Sequence, residues 1–196
     1  SFAYSSSNAS VASVTGSVAT VVAPGTATIT ATFTPTDTSN YETASTTMTM
    51  TVNKASQTVS FTSPGDQTYS ANTITLSFSA SSGLTATVTS GDTSICSVSG
   101  TTLTLVSSGS CVLTAAQAGN DNYSAATSVV HTSVISKATP SVSSMSAQSK
   151  TYGDASFTPS APSVTYEGAS VGGSIAYSSS NTSVVSVNSS TGAVAI

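Results

Sequence analysis

Two stretches at opposite ends of this chain carry nearly the same sequence. The segment YSSSNASVASV at 4–14 recurs as YSSSNTSVVSV at 177–187, and a more diverged copy, TVTSGDTSICSV, lies between them at 87–98. In this alignment Asn8 matches Asp92, 84 positions further on, which is a spacing typical of a small β module. Because further matches follow in the same order along the chain, the sequence predicts tandem copies of one folded unit.

The joints between the units are marked by two Lys-Ala pairs. These pairs are Lys54-Ala55 and Lys137-Ala138. Residues 55–136, between them, are predicted to be a complete immunoglobulin-like module with a disulfide. Residues 1–53 would then be the later part of a preceding module, and residues 138–196 the earlier part of a following one. A unit of about 80 residues lies within the usual size range of a domain. We therefore interpret the chain as a window from a longer tandem array.

An alternative arrangement is that the two partial units complete each other between chains by strand donation. Residues 175–196 duplicate roughly residues 2–20, however, rather than continuing them. A simple complement would therefore contain the same strands twice, and the window interpretation is preferred.

Strand periodicity dominates every unit. In GTATITATFTPTDT every second residue from Thr26 to Thr38 is Thr, while the intervening residues are apolar as far as Phe33. The same alternation predicts inward faces in other runs: Ala27, Ile29, Ala31 and Phe33; Met48, Met50 and Val52; Ile74, Leu76 and Phe78; Leu103 and Leu105. One apolar face and one hydroxyl face indicate an antiparallel sheet packed on one side. With about seven strands per unit and no helix signal, the predicted fold class is all-β, a tandem array of immunoglobulin-like β-sandwich modules of elongated shape.

The composition argues against several classes of function. Only 5 % of the residues are charged (three Lys, no Arg and seven acids), there is one His, and about 80 residues are Ser or Thr. A nucleic-acid binder needs a basic face, and acid–base or metal catalysis needs several convergent titratable groups. No apolar run approaches the 18 residues of a membrane span. We therefore expect no enzyme, no cofactor, no nucleic-acid partner and no membrane span in this segment.

The two cysteines, Cys96 and Cys111, both lie in the complete unit. The repeat places them opposite Ala12 and Ala27 of the first unit. We expect a structural disulfide, which would stabilise the unit by about 3 kcal/mol and would imply an oxidising compartment. A metal pair or a redox thiol are the alternatives, but CxxC-like spacing and basic neighbours are both missing.

Two tyrosines occupy equivalent positions just before the last strand of their units. We expect Tyr41 and Tyr123 to bury their rings and direct their hydroxyls to nearby backbone, as in a tyrosine corner. An aromatic platform for a ligand is the alternative.

Few other residues are candidates for chemistry. Asp37 and Asp121 lie in oxygen-rich loops and are the candidate calcium ligands, although a single carboxylate per loop favours ordinary Asx turns. His131 has no ligand cluster nearby in sequence, and we expect an ordinary strand residue. Lys54 and Lys137 raise the alternative of Lys–Asn cross-links, but their place at the joints favours linker residues.

The combined motifs resemble the bacterial immunoglobulin-like repeats of very large surface proteins and adhesins. The segment SICSVSGTTLTLVSSGSCVLTAAQAGNDNYSAA at 94–126 looks like the Cys-containing variant of that family, while KTYGDASFTPSAPSV and AYSSSNTSVVSV look like its Cys-free variant. The resemblance covers essentially the whole chain. It implies an extracellular or cell-surface location and a role as stalk, spacer or fibre building block, with neighbouring modules and other copies as partners. Family members that bind glycans or surface ligands make an adhesive module the alternative.

The threonine stripe from Thr26 to Thr38 supports a further alternative, ice binding. Thr is also well suited to an exposed strand face because its β-branch fits the pleat, and Pro35 ends the strand. We therefore rank ice binding below the structural and adhesive functions.

Overall fold

The computed structural model describes all residues, 1–196, and its regular structure consists of β-strands alone. The predicted all-β fold class is therefore confirmed. Correspondingly, the chain contains no helix with the length and apolar character needed to cross a bilayer.

The middle segment, residues 55–136, holds the largest core. Its nine strands are β6 (Val59–Phe61), β7 (Gln67–Thr68), β8 (Ile74–Thr75), β9 (Phe78–Ala80), β10 (Thr87–Ser90), β11 (Cys96–Ser99), β12 (Thr102–Leu105), β13 (Gly109–Ala116) and β14 (Val129–Ser136). They form a four-stranded sheet in the order β10-β13-β14-β7, a three-stranded sheet in the order β11-β12-β8, and the pair β6-β9.

Nine strands appear where about seven were expected because two runs of chain are each divided between sheets. Before Pro64, β6 pairs antiparallel with β9, whereas β7 beyond it pairs in parallel with β14. In the second divided run, residues 74–80, β8 pairs with β12, whereas β9 pairs with β6. Proline has no backbone N–H for a ladder, so the first run changes sheets at that residue. Each divided run thereby covers two parts of the core.

One core joins these sheets. Along β13, alternate residues Cys111, Leu113 and Ala115 point inward and are fully buried. The cluster contains eleven buried residues: Val59, Phe61, Leu76, Val88, Cys96, Leu103, Leu105, Cys111, Leu113, Ala115 and Ile135. The inward positions expected in β12 and at Leu76 are confirmed by this cluster.

The disulfide connects two of the sheets. Cys96 of β11 and Cys111 of β13 are bonded, with a Cα–Cα distance of 5.7 Å, within the range usual for disulfides. Both side chains are fully buried. The bond therefore lies inside the core and not at its surface.

The first segment, residues 1–53, is a sheet with little covering it. Its strands are β1 (Phe2–Ser6), β2 (Ala12–Thr15), β3 (Val18–Val21), β4 (Gly25–Phe33) and β5 (Ala44–Val52). The sheet order is β1-β4-β5, and β2-β3 form a separate hairpin. Only four residues are buried in its cluster: Val11, Ala12, Ala27 and Ile29.

Two inward predictions fail in that sheet. Phe33 and Met48 are on the predicted apolar face but are exposed. The β2-β3 hairpin covers the Ala27 end of this face, and no layer covers the other end. The alternation of apolar residues and Thr therefore predicted correctly on which side of the sheet these side chains lie, but not whether they are buried.

The last segment, residues 138–196, is less regular. Its strands are β15 (Ser141–Val142), β16 (Val164–Tyr166), β17 (Ala169–Ser170), β18 (Ser186–Val187) and β19 (Val194–Ala195). Phe157, which lies outside these strands, forms an antiparallel bridge with Val194 of β19, and Lys150 Nζ lies 5.0 Å from the centre of the Phe157 ring. No residue of this segment belongs to either buried cluster.

Two repeated glycines start the central strands β4 and β13. Gly25 and Gly109 have φ values of 144° and 149°, a region that L side chains rarely adopt. A Cβ on Gly25 would lie 2.6 Å from Val11 Cγ2, and one on Gly109 would lie 2.8 Å from Ile95 Cδ1. The repeat therefore keeps Gly where an apolar side chain crosses the backbone closely.

Candidate functional site

The carboxylates proposed for calcium are not assembled into a metal site. Asp37 Oδ2 accepts a hydrogen bond from Asn40 Nδ2 at 2.7 Å, and its Oδ1 accepts one from Ser39 N at 3.0 Å. These hydrogen bonds, that of the Asn40 side chain first, hold the pKa of Asp37 below its ordinary value. Asp121 is exposed and lines a shallow pocket together with Lys54. No group of three or more His, Cys, Asp or Glu side chains comes together anywhere in the chain.

The two predicted tyrosines differ from the expectation and from each other. Tyr41 is 67 % exposed, so its ring is not buried. Tyr123 is half-buried and pairs through its backbone with Ala55 in a parallel bridge. The tyrosine hydroxyl that does reach a backbone carbonyl is that of Tyr166, which donates to Tyr69 O at 2.9 Å.

His131 is half-buried and packs against Phe61 at the side of the middle segment's core. Its Nε2 lies 3.0 Å from Phe61 O, and its ring centre lies 5.2 Å from that of Phe61. These contacts fix β14 against β6, as expected for a packed strand residue.

The first connection between segments is held by the loop at 117–126. Lys54 Nζ donates to Asn120 O at 2.7 Å, and Ala55 N donates to Asn122 O at 2.8 Å. In return, Ser124 N donates to Ala55 O at 2.9 Å. Three hydrogen bonds therefore fix the Lys54-Ala55 pair. This pair lies just before β6, with four residues between Lys54 and the start of that strand.

The buried amide of Gln57 anchors that loop. Gln57 is buried, and its Nε2 donates to Gln117 Oε1 at 2.6 Å and to Ser124 O at 2.7 Å. Ser82 donates to Gln57 Oε1, which satisfies the acceptor side of the same amide. Because a buried amide group needs partners, this network ties the loop to the core beneath it.

The second connection is closed by a carboxylate from the last segment. Glu167 accepts hydrogen bonds from Ser70 Oγ at 2.7 Å, Ala71 N at 3.1 Å and Asn72 Nδ2 at 3.2 Å. Tyr166 adds its hydroxyl bond to Tyr69 O. Hydrogen bonds to an ionised carboxylate are stronger than those between neutral groups. Four side-chain bonds thus cross this connection, between residues almost 100 positions apart.

The backbone of Glu167 is unusual. Its φ is 49°, and it is the only residue other than Gly with a positive φ. Glu167 and Gly168 form the two-residue loop between β16 and β17, in which Tyr166 pairs with Ala169. Such hairpin loops need positive φ at both positions and prefer Asn-Gly or Asp-Gly, so Glu is strained here. The turn tolerates this strain while presenting the carboxylate to the middle segment.

Beside these bonds lies a groove between the middle and last segments. Its volume is about 400 Å³, and it is lined by Tyr69, Val106, Pro140, Tyr166 and Val171, with Lys137 at its edge. The Lys137-Ala138 pair predicted as a joint therefore forms one wall of a contact between segments.

Sequence reasoning singled out the two Lys-Ala pairs but missed the residues that bond the last segment to the middle one. The Glu167-Gly168 pair between two short apolar runs is a turn signal. Nothing in the sequence indicates that this turn meets residues 69–72, because that contact depends on the relative placement of two segments.

No protein-family model matches the chain, and no curated protein matches it at a significant level. Among solved structures, "Structure of surface layer protein SbsC, domains 1-6" is 19 % identical with a TM-score of 0.33, and covers 87 % of this chain and 24 % of that one. "Crystal structure of the S-layer protein SbsC domains 4 and 5" is 19 % identical with a TM-score of 0.33, and covers 69 % of this chain and 70 % of that one. "Structure of surface layer protein SbsC, domains 4-9" is 17 % identical with a TM-score of 0.32, and covers 98 % of this chain and 34 % of that one. The chain thus spans about a quarter of the first of these structures, and values this low do not establish a shared function.

Proposed function

We propose that this chain is part of a structural repeat array in an extracellular or cell-surface bacterial protein, where it acts as stalk, spacer or fibre building block. In this proposal residues 1–53, 55–136 and 138–196 are the later part of one immunoglobulin-like module, a complete module, and the earlier part of the next. The bacterial surface location follows from the family resemblance of the sequence motifs.

The hydrogen-bonded second connection carries the proposal. A flexible linker leaves its neighbours free to rotate, whereas Glu167 and Tyr166 join the last segment to residues 69–72 through four hydrogen bonds. A spacer that sets distance and stiffness needs such fixed joints.

The chemistry of the surface also supports a structural role. The chain has a formal net charge of −4 and only ten charged Lys, Asp and Glu side chains, so its outer strand faces are mainly hydroxyls. The buried disulfide between Cys96 and Cys111 suits the oxidising conditions outside a cell.

Small-angle X-ray scattering of the full chain at low concentration tests this function. The matched control carries a flexible Gly-Ser insertion between Lys137 and Ala138. The wild type is expected to scatter as an extended particle with a defined shape, and the control as a flexible one. A compact globule, or a wild-type profile as flexible as that of the control, would exclude the spacer function.

An adhesive module is a second candidate, favoured by the groove with Tyr69 and Tyr166 on its walls. Tyrosine rings with nearby polar groups suit the amphipathic faces of sugars. Saturable binding of the full chain on a glycan array, weakened by Tyr69→Ala, would favour adhesion over a purely mechanical role.

Ice binding also has one observation in its favour. Threonines of β4 and β5 pair directly across the strands, as Thr26 with Thr51, Thr28 with Thr49 and Thr30 with Thr47. Cross-strand Thr pairs also stabilise ordinary sheets, and strand twist keeps such rows from being flat. An ice-recrystallisation assay at micromolar protein decides the matter, since no inhibition removes this candidate.

A further inference from the structure

The chain enters and leaves the middle segment at opposite ends of β14. Ala55, the first residue of the segment, pairs with Tyr123 in the loop that leads into β14, and Ser136 is the last residue of that strand. The neighbouring segments are attached at these two points, through Lys54 and Lys137. A pull on the two ends of the chain therefore reaches the middle segment along the direction of β14.

The run of residues 61–69 lies beside β14 and has the same direction. Near the start of β14, Phe61 O lies 3.0 Å from His131 Nε2. Near its end, β7 pairs with β14 in parallel, and Tyr69 N then donates to Ser136 O at 2.8 Å. Because the contacts advance in the same order along both strands, the first run of the segment is parallel to its last strand over most of the length of β14.

A side chain supplies the hydrogen bond in the middle of this contact. Between Phe61 and β7 the run turns at Pro64-Gly65, and directly after the turn Asp66 Oδ1 accepts a hydrogen bond from Val134 N at 2.9 Å. A carboxylate is a stronger acceptor than a neutral group. We call the contacts of residues 61–69 with β14 the terminal clamp.

The terminal clamp is loaded in shear when the chain is stretched. The preceding segment pulls the run of residues 61–69 from its start, while the following segment pulls β14 from its end, so the two parallel strands are drawn past each other. Hydrogen bonds between strands that slide in this way are strained together, whereas strands that are peeled apart lose their hydrogen bonds one at a time. Resistance to force depends on the rate of unfolding, and bonds that must break together slow that rate.

We propose that the middle segment carries tension and that the terminal clamp is its load-bearing element, with Asp66 as a residue that positions β14 against the first run. The inference rests on the proposed function, because a stalk between a surface and what it presents is pulled at both ends. The disulfide lies outside this path, since it joins β11 to β13. It holds residues 96–111 together after the clamp has opened.

Single-molecule force spectroscopy at constant load, with the full chain attached through its two ends, tests the proposal. The disulfide identifies the unfolding step of the middle segment, because it keeps a loop spanning 15 positions closed. In the double variant Cys96→Ala, Cys111→Ala this step is expected to lengthen by about 50 Å, the extended length of that loop.

Asp66→Ala is the decisive variant. It removes the acceptor of Val134 N, and the middle segment is expected to unfold about fivefold faster at the same load. Asp66→Asn keeps an acceptor oxygen and should unfold at nearly the wild-type rate. The matched control is Asp92→Ala, which removes a carboxylate that accepts a hydrogen bond from Ser94 N in the turn between β10 and β11. Its rate under load should not change, even where denaturant shows a loss of stability, because this turn is still formed when the clamp opens.

His131→Phe tests a second contact of the clamp independently. The phenylalanine ring keeps the packing against Phe61 but has no nitrogen to reach Phe61 O, so unfolding under load is again expected to be several times faster. Circular dichroism before pulling shows that each variant is folded. If Asp66→Ala and His131→Phe unfold under load no faster than Asp92→Ala, the proposal is overturned. Solution scattering judges the spacer function separately: an extended wild type whose clamp variants resist load like the control would exclude the clamp alone.

Discussion

At the scale of single residues, one turn is built with different side chains in the three segments. The side-chain Oδ1 of Asp92, Asn8 and Asn181 accepts a hydrogen bond from the backbone N–H two positions on, at 2.8, 3.1 and 3.1 Å. Asp92 also accepts one from Ser94 Oγ at 2.6 Å. The hydrogen bonds from the Ser94 side chain and backbone lower the pKa of Asp92 below its ordinary value. The hydrogen bond of the same turn is thus accepted by a titratable carboxylate in the middle segment and by an amide oxygen, which does not titrate, in the other two segments.

Asp92→Asn is expected to reduce the loss of stability on acidification. Because the pKa of Asp92 is lower in the folded chain than in the unfolded one, its hydrogen bonds stabilise the fold above the ordinary Asp value of about 3.9. That contribution disappears as the pH falls through the lowered pKa, whereas Asn keeps the turn without titrating. Thermal unfolding at neutral and acidic pH measures the difference. Asp121→Asn, at an exposed loop carboxylate, is the control, and an acid loss in Asp92→Asn as large as in the control would contradict the assignment.

Ser133 is a second residue whose effect on stability follows from its surroundings. Its side chain is buried opposite Cys111 in β13, and its hydroxyl oxygen has no hydrogen-bond partner. Ser133→Ala is therefore expected to raise the free energy of unfolding by about 1 kcal/mol, because the unpaired hydroxyl no longer has to lose its hydration. Denaturant unfolding measures this change against Ser136→Ala, an exposed serine of the same strand that should have almost no effect. A destabilised Ser133→Ala chain would show that the hydroxyl has a partner after all.

At the scale of strands and sheets, the sequence predicted which side of each strand is apolar but not whether that side is covered. Leu103 and Leu105 are buried as alternation predicts, since a complete second layer lies over them. Met48 follows the same pattern and is exposed, because no second layer lies over its end of the sheet. The placement of Glu167 was beyond sequence reasoning for a related reason, since its partners lie in another segment. Periodicity reports local geometry, whereas burial and contacts between segments depend on residues far away in sequence.

The disulfide is the element whose removal has the clearest consequence. The double variant Cys96→Ala, Cys111→Ala has the same residues at these two positions as the first segment, where the equivalent Ala12 and Ala27 are fully buried. The fold is therefore expected to survive the change. Without a cross-link over 15 residues, the free energy of unfolding is expected to fall by about 3 kcal/mol. Guanidinium unfolding of the wild type with and without reductant is the matched comparison. Reductant should affect only the wild type, and an equally stable double variant would show that the bond contributes nothing.

At the scale of the whole molecule, interactions between charges contribute little to stability, whereas hydrogen bonds at the connections between segments contribute much to the relative placement of the segments. Lys54 binds a backbone carbonyl and Glu167 binds neutral donors, so neither depends on a partner of opposite charge. The chain as a whole is therefore held by burial, backbone ladders and hydrogen bonds between hydroxyl and amide groups.

The melting temperature is accordingly expected to be almost independent of salt. Screening by NaCl weakens interactions between charges, and this chain has few to weaken. Calorimetry at low and high NaCl measures the shift. A change of more than several degrees would mean that ionic interactions stabilise the fold.

The orientation of the last segment relative to the middle one tests the account most directly, because a spacer needs a fixed connection. Residual dipolar couplings of the full chain, measured at a concentration where it is monomeric, report this orientation. We expect one common alignment for residues 55–136 and 138–174 in the wild type, and two different alignments in Glu167→Asn, which favours the turn but removes the carboxylate that binds Ser70, Ala71 and Asn72. Independent alignment of the two segments in the wild type would contradict the account.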